Sequence, residues 1–417
     1  MRLVSGREAD AMVERLTVRG TRPSALEPRV RRIIDGVRRG GDRSLRRYAE
    51  RWDGLAAKQS LQVSAEEMVA ALRIISPALR RSLRQAAQNI RRLCEWQKPK
   101  SWTRTRGGIS VGQIVRPLEA VGCYVPSGRH PLVSTLLMTA IPAQVAGVKN
   151  IRVMSPKPSS EVLAAAAMLG VREFYRAGGA QAIAALAYGT RSIPRVDKIV
   201  GPGNAYVTLA KRLVSFDCAI DFLAGPTEAV ILNNSLSASG SPEFIAADLV
   251  AQAEHDPEAV SVFITTSRKL ARAVKLGAAK LAKGNPTAVE SLRRRGAILL
   301  ASSPKQGREW ANRIAPEHIT VAAEDLPFIR NAGSVFVGDY SAQAAGDYAS
   351  GPNHVLPTAG QARFRGGLSV LDFVKVITVQ QLSAKGLRRI APVVECLANA
   401  EGLAAHAQSV RVRCEHA

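Results

Sequence analysis

A repeated order of apolar segment, glycine or proline turn and helical segment, beginning near residue 120, is the feature that most restricts the fold of this chain. The first set of apolar segments includes AVGCYVP, NIRVMSP, EFYRAG and KIVGPG, separated by helical stretches such as SSEVLAAAAMLG and AQAIAALAYG. A second set contains EAVILN, VSVFITT, GAILLAS, HITVAA and SVFVGDY. Strands that alternate with helices in this way indicate parallel sheets covered by helices. The sequence therefore predicts an α/β protein with two parallel-sheet units that face each other across a cleft.

Helical patterns are predicted at both ends of the chain. Residues 1 to about 110 read as helices, in stretches such as READAMVERL, PRVRRIIDGVRR and SAEEMVAALRII. From about residue 376 the pattern is helical again, in QQLSAKGLRR and PVVECLANAEGLAAH. We expect little chemistry in the N-terminal helices.

Length and composition exclude some classes of protein. A chain of 417 residues can bury a large core and usually divides into two or more domains. No apolar run reaches the roughly 18 residues of a membrane span, and MRLVSGREAD lacks the apolar core of a signal peptide. The five cysteines are scattered without CxxC spacing, which argues against a disulfide framework or a cysteine zinc site. We therefore expect a cytoplasmic protein with reduced cysteines.

The strong positive charge raises nucleic-acid binding as an alternative function. The formal net charge is +24, and stretches such as RVRRIIDGVRRGGDRSLRR could follow a phosphate backbone. These arginines alternate with apolar residues at helical spacing, however, as on a solvated amphipathic helix. No helix-turn-helix, RNP or zinc-finger pattern accompanies them. We expect no specific nucleic-acid partner, although the positive field could help to attract an anionic dinucleotide.

Four of the six histidines lie in polar motifs that also carry a carboxylate or carboxamide: QAEHDP, APEH, GDYASGPNH and AEGLAAH. Gln252 and His255 are three residues apart in a predicted helix, so both side chains leave one face within a single turn. Asp347 and His406 could complete a metal site with them. A histidine near a helix end is more often a cap or a buried hydrogen-bonding residue, and this interpretation also stays open.

Two further motifs suit chemistry at the ends of strands or helices. In APEH, Glu317 precedes His318 where a helix gives way to an apolar strand, and neighbouring acid and base groups there suit proton transfer. A solvated turn is the alternative. In GPGN, which ends at Asn204, a strand-to-helix turn could bring backbone amides close to a pyrophosphate, although a plain turn would look the same. The dinucleotide fingerprint GxGxxG is missing from the sequence.

Nine motifs in order and at the expected approximate spacing resemble the histidinol dehydrogenase family over nearly the whole chain. They are VGCYVPSG, GGAQAIAALAYG, VDKIVGPGNAYVT, IDFLAGPTEAVIL, DLVAQAEHDP, APEHITV, AGSVFVGDY, GDYASGPNHVLPT and AEGLAAH. The resemblance implies two Rossmann-like parallel-sheet domains facing a cleft, with N-terminal helices and a helical C-terminal tail. The implied divisions are an N-terminal helical segment (1–25), a discontinuous first Rossmann-like domain that carries the metal and catalytic residues (26–117 with 229–375), an inserted Rossmann-like NAD-binding domain (118–228) and a tail that crosses to a partner subunit (376–417).

The activity that the resemblance implies is a zinc-dependent oxidation of L-histidinol to L-histidine, the last step of histidine biosynthesis, through an enzyme-held aldehyde and with two hydride transfers to NAD. Zinc would orient the substrate without activating a hydroxide. His318 would take the alcohol proton in the first step, and Glu317 would deprotonate the water that attacks the aldehyde. Manganese or cobalt would tolerate much the same ligands.

The resemblance also assigns the remaining site residues and the assembly. The implied zinc ligands are Gln252, His255, Asp347 and His406. The implied substrate contacts are Thr227, Gln252, His255, His318, Asp347, His354, Glu401 and His406. The implied NAD contacts are Tyr124, Gln181 and Asn204. The tail with Glu401 and His406 would complete the partner's site in an obligate homodimer, and its apolar face is too small to be stable alone; packing on its own chain is the alternative.

Two positions depart from the family pattern. The substrate loop reads AGPTE where AGPSE is commoner, so Thr227 keeps the hydroxyl group and adds a methyl group that narrows the pocket. In YVPSG, Ser127 stands where glycine is usual. Neither change removes a reactive group. Related alcohol dehydrogenases that act on another small alcohol, such as a sulfonated propanediol, are the alternative family assignment, and the presence of both Glu401 and His406 favours histidinol.

Overall fold

The computed structural model describes residues 1–17, 25–127, 132–233 and 241–416. Within these ranges the predicted α/β fold is confirmed, with two parallel sheets and helices at both ends of the chain. No helix in the described ranges is long and apolar enough to cross a membrane.

Strands and helices alternate through the middle of the chain, as the sequence pattern predicts. The strands are β1 (Arg2–Ser5), β2 (Trp102–Arg106), β3 (Ile109–Pro117), β4 (Ala120–Tyr124), β5 (Asn150–Met154), β6 (Glu173–Tyr175), β7 (Lys198–Val200), β8 (Ala219–Ile220), β9 (Glu228–Asn233), β10 (Val260–Thr265), β11 (Ala297–Leu300), β12 (His318–Val321), β13 (Ser334–Val337) and β14 (Val374–Leu382). The α-helices are α1 (Gly6–Thr17), α2 (Glu27–Tyr48), α3 (Ala65–Ile74), α4 (Pro77–Gln97), α5 (Val133–Ala146), α6 (Ser160–Met168), α7 (Gly179–Tyr188), α8 (Ala205–Val214), α9 (Pro242–Ala253), α10 (Arg268–Leu281), α11 (Pro286–Arg294), α12 (Pro304–Ile314), α13 (Gln343–Tyr348), α14 (Ala384–Ala400) and α15 (Ala404–Glu415). A π-helical turn (Ala49–Asp53) follows α2, and short 3₁₀ turns lie at Leu326–Phe328, Gln361–Arg363 and Val370–Phe373.

The two parallel sheets share one strand order. In the five-stranded sheet the order is β6-β5-β4-β7-β8, so the chain starts in the middle, moves to one edge and then crosses to the other side. The six-stranded sheet repeats this arrangement as β11-β10-β9-β12-β13 and adds β1 beside β11. This order reverses between β4 and β7 in one sheet and between β9 and β12 in the other. Reversal points of this kind are the positions where open α/β sheets usually bind ligands.

The N-terminal helices pack on the five-stranded sheet. The apolar face of α2, with Val30, Ile33 and Val37, joins one core with α7 and α8. Leu83 and Ile90 of α4 join the core on the opposite face with α5 and α6. The predicted boundaries instead group residues 26–117 with the other domain, and the division of the chain into domains stays a prediction.

A third sheet is antiparallel and corrects the helical prediction at both ends of the chain. Strands β2 and β3 form a hairpin around Gly107 and Gly108, and β14 pairs with β3 along its whole length. Gly107 and Gly108 both have positive φ, which suits a two-residue hairpin turn. The tail therefore begins as a strand, and the first residues of the chain are the strand β1, not helix. Strands β1 and β14 pair with β11 and β3, which lie far along the chain, so the local pattern does not reveal these two strands.

The end of the tail is a hairpin of α14 and α15 that packs mainly on itself. Ala407 is the buried residue of α15. Large apolar side chains on this hairpin are exposed to solvent in the monomer; they are Val393, Leu397, Leu403 and Val412.

Candidate active site

A cavity of about 680 Å³ lies between the two parallel sheets. From the five-stranded sheet and its loops it is lined by Thr135, Asn204 and Phe222, and from the other sheet by residues that include His318 and Asp347. The predicted cleft between two sheets is therefore present and large enough for a small organic molecule.

Glu317 and His318 lie at the start of β12, on the amino-terminal side of the six-stranded sheet. Helix α12 ends at Ile314, and Ala315 takes a left-handed conformation that turns the chain into the strand. Both side chains are buried. Glu317 Oε2 accepts hydrogen bonds from the Thr227 hydroxyl group at 2.7 Å and from the Glu228 N–H at 3.0 Å. These bonds hold one carboxylate oxygen of Glu317 beside His318, whose Nδ1 is 3.7 Å away.

The protonation of this buried pair is set by burial and by two neighbouring carboxylates. Burial raises the pKa of Glu317 to about 7, and the His318 charge only partly opposes that rise. Burial disfavours protonation of His318, yet Glu317 and Asp347 outweigh it and raise the pKa of the imidazole above its usual value. A carboxyl group with a pKa near the working pH can both accept and return a proton.

The stability of the metal-free chain should report the shifted pKa of Glu317. Because its pKa lies at about 7 in the folded state and at the ordinary 4.5 in the unfolded state, stability is lost as pH rises between these values. Glu317→Gln keeps an oxygen for the Thr227 and Glu228 donors and removes this loss. We expect a gain of about 1–3 kcal/mol in the free energy of unfolding near pH 8 and a smaller gain near pH 5.

Denaturant unfolding at both pH values measures this gain. Glu309→Gln, on an exposed position of the preceding helix, is the matched control and should change neither value appreciably. An equal effect of Glu317→Gln at the two pH values would contradict the shifted pKa.

Three of the predicted metal ligands lie together in the cavity. Gln252 is buried near the end of α9, and His255 follows one turn later and is exposed. Asp347 comes from the short helix α13. The Gln252 Nε2 donates to Asp347 Oδ2 at 3.3 Å, and Thr227 Oγ1 lies 3.2 Å from Gln252 Oε1. Asp347 Oδ1 is also 3.4 Å from His318 Nε2, which joins this group to the Glu317–His318 pair.

His354 connects the two halves of the cleft. Its Nδ1 bonds to the Asp347 carbonyl oxygen at 2.8 Å, and its Nε2 lies 3.3 Å from the Thr135 hydroxyl group, at the start of α5. Burial lowers the pKa of this imidazole below its usual value. His354 therefore tends to stay neutral and can act as a hydrogen-bonding residue towards a substrate.

The donor atoms in the cavity are of the kinds that bind a divalent metal. Gln252, His255 and Asp347 supply a carboxamide, an imidazole and a carboxylate, which are ligands that zinc accepts. Among the described residues, no group of three or more His, Cys, Asp or Glu side chains lies close enough to hold a metal.

The structure does not bring Glu401 and His406 to the cavity of their own chain. Glu401 caps the end of α14, and His406 lies in α15; both are exposed. Neither residue lines the cavity between the sheets.

A second cavity of about 430 Å³ contains the three predicted cofactor contacts. Tyr124 ends β4, Gln181 lies in the first turn of α7, and Asn204 precedes α8. Asn204 lines both cavities. Trp52 and Lys157 also line the second cavity. Because β4 and β7 flank the reversal of strand order, this cavity occupies the usual ligand position of an open α/β sheet.

The N-terminal amides of α8, which the GPGN turn could bring close to a pyrophosphate, already donate hydrogen bonds within the chain. Asn204 Oδ1 accepts hydrogen bonds from the N–H groups of Tyr206 and Val207, at 3.0 and 3.2 Å. At the start of α7, Asp53 Oδ2 accepts from the Gly178 N–H at 2.9 Å and from the Gln181 side chain at 3.0 Å. Sequence reasoning missed Asp53, because its link to Gln181 spans 128 positions and leaves no local signal.

Comparisons with known proteins agree on one family. The family model "Histidinol dehydrogenase" matches residues 17–414. The chain is 47% identical to the histidinol dehydrogenase of Methanothermobacter thermautotrophicus over 395 residues, which cover 91% of this chain and 92% of that one. It is 42% identical to that of Aquifex aeolicus over 426 residues, or 99% of each. The crystal structure of histidinol dehydrogenase from Elizabethkingia anophelis superposes with a TM-score of 0.94 at 34% identity, covering 100% of this chain and 98% of that one.

Proposed function

Because the chain belongs to the histidinol dehydrogenase family, and is therefore an oxidoreductase of histidine biosynthesis that acts on histidinol, we propose how its residues carry out the reaction. The observation that carries the proposal is the buried Glu317–His318 pair, in one cavity with Gln252, His255 and Asp347. An acid–base pair beside metal-type ligands suits oxidation of an alcohol to a carboxylate.

We propose that Gln252, His255 and Asp347 hold zinc together with His406 of a second copy of the chain. Their oxygen and nitrogen donors fit the metal, and three donors leave room for a fourth ligand at a tetrahedral site. When bound, zinc would orient the imidazole and amino nitrogens of L-histidinol. The exposure of His255, Glu401 and His406 supports a site that is completed by assembly.

In this proposal Glu317 and His318 carry out the proton transfers. His318 takes the hydroxyl proton of the alcohol. It lies 3.4 Å from Asp347, and its carboxylate neighbours raise the pKa of its imidazole. Glu317 then takes a proton from the water that attacks the aldehyde carbon, and its pKa of about 7 makes it a base near neutral pH. Thr227 fixes the Glu317 carboxylate through their 2.7 Å hydrogen bond. His354 from one side and Glu401 of the partner copy from another would contact the substrate.

We propose the second cavity as the NAD site. Tyr124, Gln181 and Asn204 line it, and its Trp52 side chain offers an aromatic surface to a nucleotide base while Lys157 offers a cation to phosphate. NAD bound there would accept a hydride in each of the two oxidation steps. Asn204 lines both cavities and so lies where a nicotinamide and a substrate would meet. The proposed partners are thus L-histidinol, NAD and a second copy of the chain, in the cytoplasm.

One experiment tests the whole assignment. Purified zinc-loaded protein is mixed with NAD and L-histidinol, and both NADH and histidine are quantified. The proposal requires two NADH for each histidine formed. Formation of NADH without histidine, or activity only with a different small alcohol such as a sulfonated propanediol, would contradict it.

The zinc content of variants gives a separate test of the ligand assignment. We expect wild-type protein to retain about one zinc per subunit after dialysis and His255→Ala to retain clearly less, because hydrogen-bonding neighbours cannot replace a lost imidazole ligand. His416→Ala removes an exposed histidine from the same chain and should retain the wild-type amount. Elemental analysis measures both. Full activity in a rigorously metal-free preparation would refute the metal proposal.

A further inference from the structure

Lys211 and Asp221 form a completely buried ion pair that the proposed reaction does not use. Lys211 lies in α8 and Asp221 directly follows β8; their side chains are 2% and 0% exposed. Lysine and aspartate are almost never buried to this degree unless they are paired. Removing two charges from water is costly even when they meet, so such a pair is weak evidence of added stability. Its contacts show what else it does.

Both charged groups form hydrogen bonds with the backbone of Gly201. The Lys211 ammonium group donates to the Gly201 carbonyl oxygen at 3.0 Å and to Asp221 Oδ1. Asp221 Oδ2 accepts from the Gly201 N–H at 2.8 Å, and Asp221 Oδ1 accepts from the Phe222 N–H at 2.6 Å. The pair therefore links Gly201, directly after β7, to Phe222, which begins the loop after β8.

Only glycine fits at position 201. Its φ of +111° is disfavoured for residues with a side chain, and a Cβ atom at this position would overlap the carbonyl oxygen of Tyr124. The loop is thus pressed against the end of β4, beside a proposed cofactor contact. On the other side, the Arg365 guanidinium donates to the Asp221 carbonyl oxygen and stacks on the Phe222 ring at 4.4 Å. The ion pair is enclosed from both directions.

The two loops joined by the pair form one wall of the larger cavity. Residues 202–204 and 222–227 all line it. The first loop ends at Asn204, which lines both cavities, and the second ends at Thr227, which holds Glu317. A small displacement between the loops would therefore change the distance from the proposed NAD site to the proposed base.

We propose that Lys211 and Asp221 are positioning residues that fix loop 201–204 against loop 222–227 and so set the alignment of cofactor and substrate. This inference rests on the proposed function, because it takes Asn204 and Glu317 as parts of the reacting site. Neither charged group lines the cavity, so the pair acts through the loops that it holds. Misplacement of reacting groups by about 1 Å can lower a rate by about 100-fold.

The test is the double variant Lys211→Met/Asp221→Asn, which removes both charges and leaves no isolated buried charge. In zinc-loaded protein that is folded by circular dichroism, we expect kcat for histidinol to fall by about 10-fold to 100-fold and the dissociation constant for NAD, measured by equilibrium dialysis, to rise several-fold. Hydrogen exchange should become faster in peptides covering residues 201–204 and 222–227. Asp221→Glu, which keeps the charges but lengthens the link, should show the same changes more weakly.

The matched control is Arg152→Met/Glu173→Gln, which removes a mostly buried ion pair between β5 and β6 of the same sheet, with a 2.8 Å contact. It should leave kcat, the NAD dissociation constant and exchange in the two loops near wild type. Wild-type kinetics and NAD affinity in the folded Lys211→Met/Asp221→Asn protein would overturn the inference. If that protein does not fold, wild-type values in folded Asp221→Glu overturn it. If wild-type protein does not oxidise histidinol, the proposed function fails, and exchange in the two loops still decides whether the pair fixes them.

Discussion

Replacement of Glu317 by glutamine is expected to slow the oxidation of the aldehyde to histidine by about 100-fold to 10,000-fold, and to slow the oxidation of histidinol to the aldehyde much less. The carboxylate is held by Thr227 and by the Glu228 N–H, and burial raises its pKa to about 7. Glutamine can accept the same hydrogen bonds but cannot take a proton from water. The loss should therefore fall on the step that consumes water.

Single-turnover release of NADH from histidinol, beside that from supplied histidinal, separates the two steps. His318→Gln is the comparison variant and should damage the first step as well, because His318 takes the alcohol proton in the proposed scheme. Equal losses in both half-reactions for Glu317→Gln would refute the division of roles.

Mixing two inactive variants, His255→Ala and His406→Ala, is expected to restore activity to at most about half of the wild-type value in each heterodimer. His255 lines the cavity, whereas His406 is exposed on a hairpin that packs mainly on itself. If the tail completes the partner's site, one site of the heterodimer carries both lesions and the other carries none. Counting intact sites gives the expected half.

A mixture of Gln252→Ala and His255→Ala is the matched control for this experiment. Both residues belong to the same half of the proposed site, so every site in that heterodimer carries one lesion and activity should stay low. If verified heterodimers of His255→Ala and His406→Ala also stay inactive, the tail serves its own subunit. The exposed side chains Val393, Leu397 and Leu403 would then need another explanation.

The middle of the fold could be predicted well because its signals are local. Strand β9 follows from the run EAVILN, and α9 follows from Ser241 and Pro242 at its start. Such patterns repeat at the periods of strand and helix, so neighbouring residues are enough to identify them. The antiparallel hairpin of β2 and β3 was missed although its Gly107–Gly108 turn is a local signal for a hairpin.

The motif residues of the candidate site could be named from the sequence, but their arrangement could not. Gln252 and Asp347 meet across 95 positions, and Thr227 meets Glu317 across 90. Resemblance to a family named these residues one motif at a time. Residues outside the motifs that support them, such as Asp53 and Thr135, have no comparable signal.

The sequence by itself determined the alternation of strands and helices, the nine motifs and therefore the family, because each of these depends on residues close together in the chain. Only the tertiary structure decided that the N-terminal helices cover the five-stranded sheet, that Thr227 and the Glu228 N–H hold the Glu317 carboxylate, and that Lys211 and Asp221 are buried together. These features depend on contacts between segments that are distant in sequence. The free energy of such contacts comes from burial and pairing in three dimensions, which no short window of sequence records.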